Sequence, residues 1–185
     1  MTNRIDRHPL TGETVLLTPN RLDRPNALLD HGSDGICPFC PGNENETPPE
    51  ISRVDDGQGW LVRVVPNKYP AASPDGGIVG AHELIVESPR HDDELRTMTQ
   101  AHVRAVINTW LDRYRHALSS PEVKYVVLFR NRGPHAGESI SHPHSQLVAV
   151  PYVPSRIAAQ SVSRIDCGLC RLASGENDLL VRRSD

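Results

Sequence analysis

The sequence predicts an α+β fold, an antiparallel sheet with one long packed helix. Three observations carry that expectation. β-prone runs at 60–65, 82–87, 123–131 and 142–150 are separated largely by turn chemistry. One stretch alone has helical period: Leu95, Met98, His102, Val106, Trp110, Tyr114 and Leu118 recur every three or four residues. Strands outnumber helices, without the strand–helix–strand alternation of a doubly wound sheet.

In chain order, Pro9-Leu-Thr-Gly12 is a turn, and Thr14–Thr18 is a short β-prone run stopped by Pro19. Arg21-Leu-Asp-Arg24-Pro25 reads as a basic loop. Residues 31–50 place Gly, Pro and Asn around Cys37-Pro-Phe-Cys40. That composition supports no regular element, so something else must order it. Trp60–Val65 is a strand ended by Pro66, and His82–Glu87 a second closed by Ser88-Pro89. The apolar stripe then predicts a helix of about 24 residues, capped by Asp92 or Asp93 and stopped by Pro121. Val123–Asn131 is the strongest strand signal, and His142–Val150 returns after a Gly-containing loop.

Composition bounds the function. The chain has 185 residues, 20 Lys+Arg against 23 Asp+Glu, and 37% hydrophobic residues. One domain with a real core and a short appended piece fits that length. A net charge of −3 argues against nucleic-acid binding through a basic field. No apolar run reaches the roughly 18 residues of a membrane helix. Met1–Pro9 lacks the apolar segment of a signal peptide, so the expected compartment is the cytoplasm.

The cysteines fall into two Cys-x-x-Cys pairs, Cys37/Cys40 and Cys167/Cys170. Two thiolates at that spacing can occupy adjacent corners of a zinc tetrahedron while the backbone turns between them. Redox use is disfavoured at Cys37/Cys40 because no Lys or Arg lies close and no helix follows; free thiols remain the bland alternative. Two further ligands are required. His142 and His144 stand two apart in a β-type run and so share a face, with Gln146 next along it. Solvated polar histidines are the bland reading of that pair. The preceding loop, Asn131-Arg-Gly-Pro-His-Ala-Gly137-Glu138-Ser139, offers glycine backbone N–H groups and a hydroxyl suited to a phosphate.

Together, Asn131-Arg-Gly-x-x-Ala-Gly137-Glu-Ser139-Ile-Ser-His142-Pro-His144-Ser-Gln146 closely resembles the active-site signature of galactose-1-phosphate uridylyltransferases, a branch of the histidine-triad superfamily. The resemblance extends over about residues 1–155, through Pro9-Leu-Thr-Gly-Glu13, Arg21-x-x-Arg24-Pro25, Cys37-Pro-Phe-Cys40-Pro-Gly-Asn-Glu, Pro66-Asn67-Lys-Tyr-Pro70 and Ser88-Pro89-x-His91. It implies a histidine-triad-like sheet extended by a zinc-bound loop. Cys37, Cys40, His91 and His142 match structural zinc ligands. His144 matches a nucleophile that forms a nucleotidyl-histidine, and Gln146 a glutamine that hydrogen-bonds the transferring phosphoryl. Gly137, Glu138 and Ser139 match a phosphate-binding loop; Arg21 and Arg24 match basic residues near the diphosphate; Asn67 and Asn131 match nucleotide contacts.

The implied activity is double-displacement uridylyl transfer from UDP-glucose to a hexose 1-phosphate, as in galactose metabolism. Alternatives are a nucleotide-sugar phosphorylase, a histidine-triad hydrolase, and a non-catalytic zinc- and nucleotide-binding module. The resemblance also implies that residues 156–185 are a linker and the truncated start of a second histidine-triad-like half, with Cys167 and Cys170 either an incomplete second zinc site or free thiols. The expected partner is another copy of the chain, as a homodimer, or a second polypeptide supplying the missing half.

Overall fold

The computed structural model describes residues 2–22 and 36–160. Strands β1 (Arg4–Arg7) and β2 (Thr14–Leu17) form an antiparallel hairpin. The main sheet is built from β3 (Ser52–Asp55), β4 (Trp60–Pro66), β5 (Ala81–Val86), β6 (Tyr125–Phe129) and β7 (His144–Val150). Its order is β3-β4-β5-β7-β6, with every neighbouring pair antiparallel. Helix α1 (Gln100–Ser119) intervenes between β5 and β6. The α+β class, an antiparallel sheet with one long helix, is thus as expected. The chain divides into two units, residues 1–153 and 154–185, and the second begins with a short helix, α2 (Ser155–Gln160). Sheet, long helix and candidate site all belong to the first.

Alternation sets the two faces of the sheet. Val62, Val64 and Ile85 pack against Val106 of α1, and Val126, Leu147 and Ala149 against Ala117. The opposite face carries His82, Leu84 and Val86 of β5 beside Val148, Gln146 and His144 of β7, in that register. Loops cover it: Phe39 packs on Val86, and Ala72 and Ile78 on Val148 and Val150. Functional side chains therefore lie opposite the helix.

Helix α1 starts later than the sequence reading has it. Its N-cap is Thr99, whose hydroxyl accepts from the His102 N–H at 3.2 Å. Asp93 instead accepts from the Ser88 hydroxyl at 2.6 Å. Thr97 closes a separate turn on Glu94, so Leu95 and Met98 reach the core from outside the helix. At the far end Ser120 is extended, as a residue before proline must be, and the helix stops there.

Strand β7 also begins later, at His144. Pro143 has no N–H for the ladder, and its carbonyl accepts from Glu87 N–H at 3.0 Å just beyond the last strand pair. His142 sits on the bend before the strand rather than on its face. Strands β1 and β3 were not expected: both are exposed throughout and carry no alternation to read. Among the described residues, no helix is long and apolar enough to cross a membrane.

Candidate active site and metal centre

The loop around Cys37 is ordered by its own backbone and by Phe39. Cys40 N–H donates to the Cys37 carbonyl at 3.2 Å, and the Asn43 amide donates to the same carbonyl at 2.9 Å. Phe39, 2% exposed, is buried with Trp60 and Val86. That turn presents both thiols to His91 and His142. One ligand atom from each of the four residues falls within 4.8 Å of all the others. His142 Nδ1 lies 3.7 Å from Cys37 Sγ and 3.6 Å from Cys40 Sγ, and His91 Nδ1 lies 3.5 Å from Cys40 Sγ. This two-cysteine, two-histidine cluster is able to hold a metal ion.

Both imidazoles are oriented by their second nitrogens. His142 Nε2 donates to the Ser88 carbonyl at 2.7 Å, which leaves Nδ1 as the free lone pair. His91 Nε2 meets the Ser141 hydroxyl at 3.1 Å. Burial is the main force holding the His142 pKa down at about 4, so it is neutral and ready to ligate. Burial, reinforced by the neighbouring Cys37 thiol, pushes Cys40 up to about 11. A bound divalent cation reverses that logic and takes the thiolate.

His144 has the opposite orientation. Its Nδ1 donates to the His142 carbonyl at 2.8 Å, so Nε2 carries the lone pair. Phe39 stands against both rings, at 5.9 Å from His142 and 5.3 Å from His144 between centroids. His144 lines a cavity of about 350 Å³, together with Phe39, Ile36 and Ile140 on the apolar side and Asn67, Lys68 and Ser139 on the polar side.

The loop after β6 comes to this cavity through Ser139. Gly137 has φ +77°, a left-handed conformation that favours glycine, and a Cβ there would lie 3.9 Å from the Asn131 amide nitrogen. Glu138 is buried and directed back into the loop. Its carboxylate accepts from Gly133 N–H at 2.7 Å and from Arg132 at 3.3 Å. Its carboxylate thus braces the loop.

Gln146 and Arg21 meet through a residue that sequence reasoning passed over, His82. Gln146 Oε1 lies 3.0 Å from His82 Nε2, and Arg21 Nη1 lies 3.4 Å from His82 Nδ1. Asn67 is 3.1 Å from His82 Nε2 and accepts from Tyr69 N–H at 2.8 Å. Arg21 also donates to the Tyr69 carbonyl. Arg24, Cys167 and Cys170 lie outside the described residues.

A second residue missed in the sequence is Glu87, fully buried behind the histidine segment. It accepts from the Ser145 hydroxyl and, at 2.8 Å, from Arg130 Nε. His102 of α1 donates to its backbone carbonyl at 2.7 Å. Burial outweighs these partners and raises the Glu87 pKa above the ordinary carboxylate range.

Comparison with known proteins agrees with this fold. Residues 67–154 match the family described as galactose-1-phosphate uridyl transferase, N-terminal domain. The chain is 30% identical to an ADP-glucose phosphorylase from Arabidopsis thaliana over 83% of its own length and 50% of the relative's. It is 28% identical to the galactose-1-phosphate uridylyltransferase of Streptomyces lividans, over 85% of this chain and 40% of that one. A solved uridylyltransferase structure superposes with a TM-score of 0.74 at 28% identity, covering 100% of this chain and 59% of the other. The chain spans about half the length of the curated relatives it matches. By signature, fold and relatives, the chain resembles the N-terminal half of the galactose-1-phosphate uridylyltransferase family.

Proposed function

We propose that His144 carries a nucleotide from a nucleoside-diphosphate sugar to an acceptor phosphate. The observation that carries this reading is the imidazole of His144 on a 350 Å³ cavity, with Nδ1 bonded to the His142 carbonyl. Nε2 attacks the α-phosphorus, and the bond from that phosphorus to the bridging oxygen breaks. Hexose 1-phosphate departs with the electron pair. The ring becomes cationic, and the Nδ1–H bond to a fixed carbonyl strengthens as that charge develops. A phosphate oxygen of the acceptor then displaces Nε2 and restores the neutral ring. Gln146 donates to the phosphoryl without being an acid, which a good leaving group permits. Ser139 and the backbone around Gly137 hold phosphate; Arg21 and Arg24 balance the diphosphate; Asn67 and Asn131 contact the nucleotide.

The first reading is UDP-glucose as donor and a hexose 1-phosphate, such as galactose 1-phosphate, as acceptor. The second is phosphorolysis by inorganic phosphate, favoured by the 30% identity to an ADP-glucose phosphorylase. Both share the first displacement. The metal we assign is zinc. Bonds of about 2.3 Å to sulfur and about 2.0 Å to nitrogen put tetrahedral S···N edges at about 3.5 Å, and the observed separations are 3.5, 3.6 and 3.7 Å. Four protein ligands make it a structural centre that ties the cysteine loop to the catalytic strand. The same reading takes residues 1–155 as one nucleotidyltransferase domain working as a homodimer, which sedimentation of the purified chain tests.

Incubation with UDP-glucose or ADP-glucose labelled at the α-phosphate tests the transfer. Label on the protein that galactose 1-phosphate removes supports uridylyl transfer. Removal by inorganic phosphate alone moves the assignment to phosphorolysis, and by water alone to hydrolysis. Nucleotide binding without label makes the chain a binding module.

A further inference from the structure

His82 is 5% exposed and lies in no motif of the reaction, yet both of its ring nitrogens point at groups that are. Backbone N–H of Ala71 donates to its Nδ1 at 3.0 Å. An N–H can only donate, and the Arg21 guanidinium at 3.4 Å from the same nitrogen is likewise a donor. Nδ1 is therefore unprotonated, and the neutral ring carries its proton on Nε2. Two groups stand before Nε2: Gln146 Oε1 at 3.0 Å and the Asn67 side-chain nitrogen at 3.1 Å. Asn67 cannot turn its oxygen toward His82, because that oxygen accepts Tyr69 N–H at 2.8 Å. The acceptor of the Nε2 proton is thus Gln146 Oε1. His82 pairs across the ladder with Val148 and so sits diagonal to Gln146 on the same sheet face.

We propose that His82 is a positioning residue: its Nε2–H fixes the carboxamide of Gln146 with the oxygen inward, leaving the NH2 group to meet the phosphoryl. An amide has no intrinsic preference between its two ends, and the reverse flip would present an acceptor to an anionic phosphoryl. The backbone of Ala71 and the guanidinium of Arg21 set this choice by dictating the tautomer of His82. The catalytic consequence rests on the transfer reading above; the orientation of Gln146 does not.

Two substitutions separate the ring's two ends. His82→Asn keeps an acceptor near Nδ1 for Ala71 but removes the donor to Gln146. His82→Gln keeps a donor at the Nε2 position. In the zinc-loaded chain, nitrogen NMR should show His82 as the Nε2–H tautomer. The Gln146 side-chain amide signals should move in His82→Asn and return toward wild type in His82→Gln. The rate of nucleotide labelling should fall about 10- to 100-fold in His82→Asn, recover in part in His82→Gln, and show no further loss when His82→Asn is added to Gln146→Ala. An Nδ1–H tautomer, or unmoved Gln146 signals in His82→Asn, overturns the proposal. So does full additivity of the two substitutions. A wild-type chain that never labels overturns the transfer reading instead, and the NMR still decides the orientation.

Discussion

His144 Nδ1 lies 2.8 Å from the backbone carbonyl oxygen of His142. A carbonyl only accepts, so the ring of His144 is turned with its proton toward the chain and its lone pair outward. His142 has the reverse arrangement, Nε2–H on the Ser88 carbonyl and Nδ1 toward the thiols. One dipeptide step thus links the two-cysteine, two-histidine cluster to the proposed nucleophile: the imidazole of His142 faces the cysteines while its carbonyl orients His144.

Removing metal ligands should loosen the nucleophile as well as the loop. In the purified chain, Cys37→Ser/Cys40→Ser should contain no stoichiometric zinc by metal analysis. Its Tm should fall by about 10 °C or more, since ligand binding is folding energy here. Adding zinc to stripped wild-type protein should release a proton from Cys40, whose thiol burial holds up at about 11. Calorimetry in buffers of different ionisation enthalpy reads that proton. Unchanged Tm in the double variant would contradict the assignment.

Acid should weaken the metal-free fold through His142. Its folded pKa is about 4, held down chiefly by burial, against about 6.5 for the free imidazole. Between those values the unfolded chain binds the proton and the fold does not, so stability falls as pH drops. The contribution is complete above 6.5 and is lost as pH falls toward 4, by up to about 3 kcal/mol. Urea midpoints of stripped protein from pH 7 to 4.5 check the slope, which should flatten in His142→Asn.

Phe39 should behave as a core residue of the site. Truncation to Ala removes the ring packed on both histidines and should cost about 3–5 kcal/mol. Phe39→Leu, which refills most of the space, should cost less than half of that. Denaturant unfolding measures both, and equal stability of Phe39→Ala and wild type would sink the claim.

Glu87→Gln should destabilise by about 1–3 kcal/mol. The carboxylate accepts from both Ser145 and Arg130, and the amide nitrogen of Gln cannot accept from either. Zinc content should stay that of wild type, because Glu87 is not a ligand. A stability gain in urea unfolding would show that the buried charge costs more than its partners return.

Local spacing made part of this site readable. Cys37/Cys40 and His142/His144/Gln146 each lie within a few positions, so a turn or a short extended segment suffices to group them. His91 and Asn67 entered only through resemblance to a family. His82 and Glu87 gave no signal, because they meet Gln146 and Ser145 only through the pairing of β5 with β7, 64 and 58 positions away. Phe39 carries no signal in the sequence, because its contacts with His144 and Val86 are long-range. Long, strongly patterned elements were legible too, whereas β1 and β3 lack an apolar face. The start of α1 is ambiguous in the sequence because Asp93 and Thr99 are both competent caps; Asp93 is engaged by the Ser88 hydroxyl, and Thr99 caps the helix.

Covalent capture at His144 tests the central claim most directly. The zinc-loaded chain is incubated with UDP-glucose without acceptor, digested, and mapped by mass spectrometry. The prediction is an acid-labile, base-stable gain of one nucleoside monophosphate on the peptide containing His144, absent from His144→Asn. The same label persisting in His144→Asn, or mapping to another residue, would contradict it.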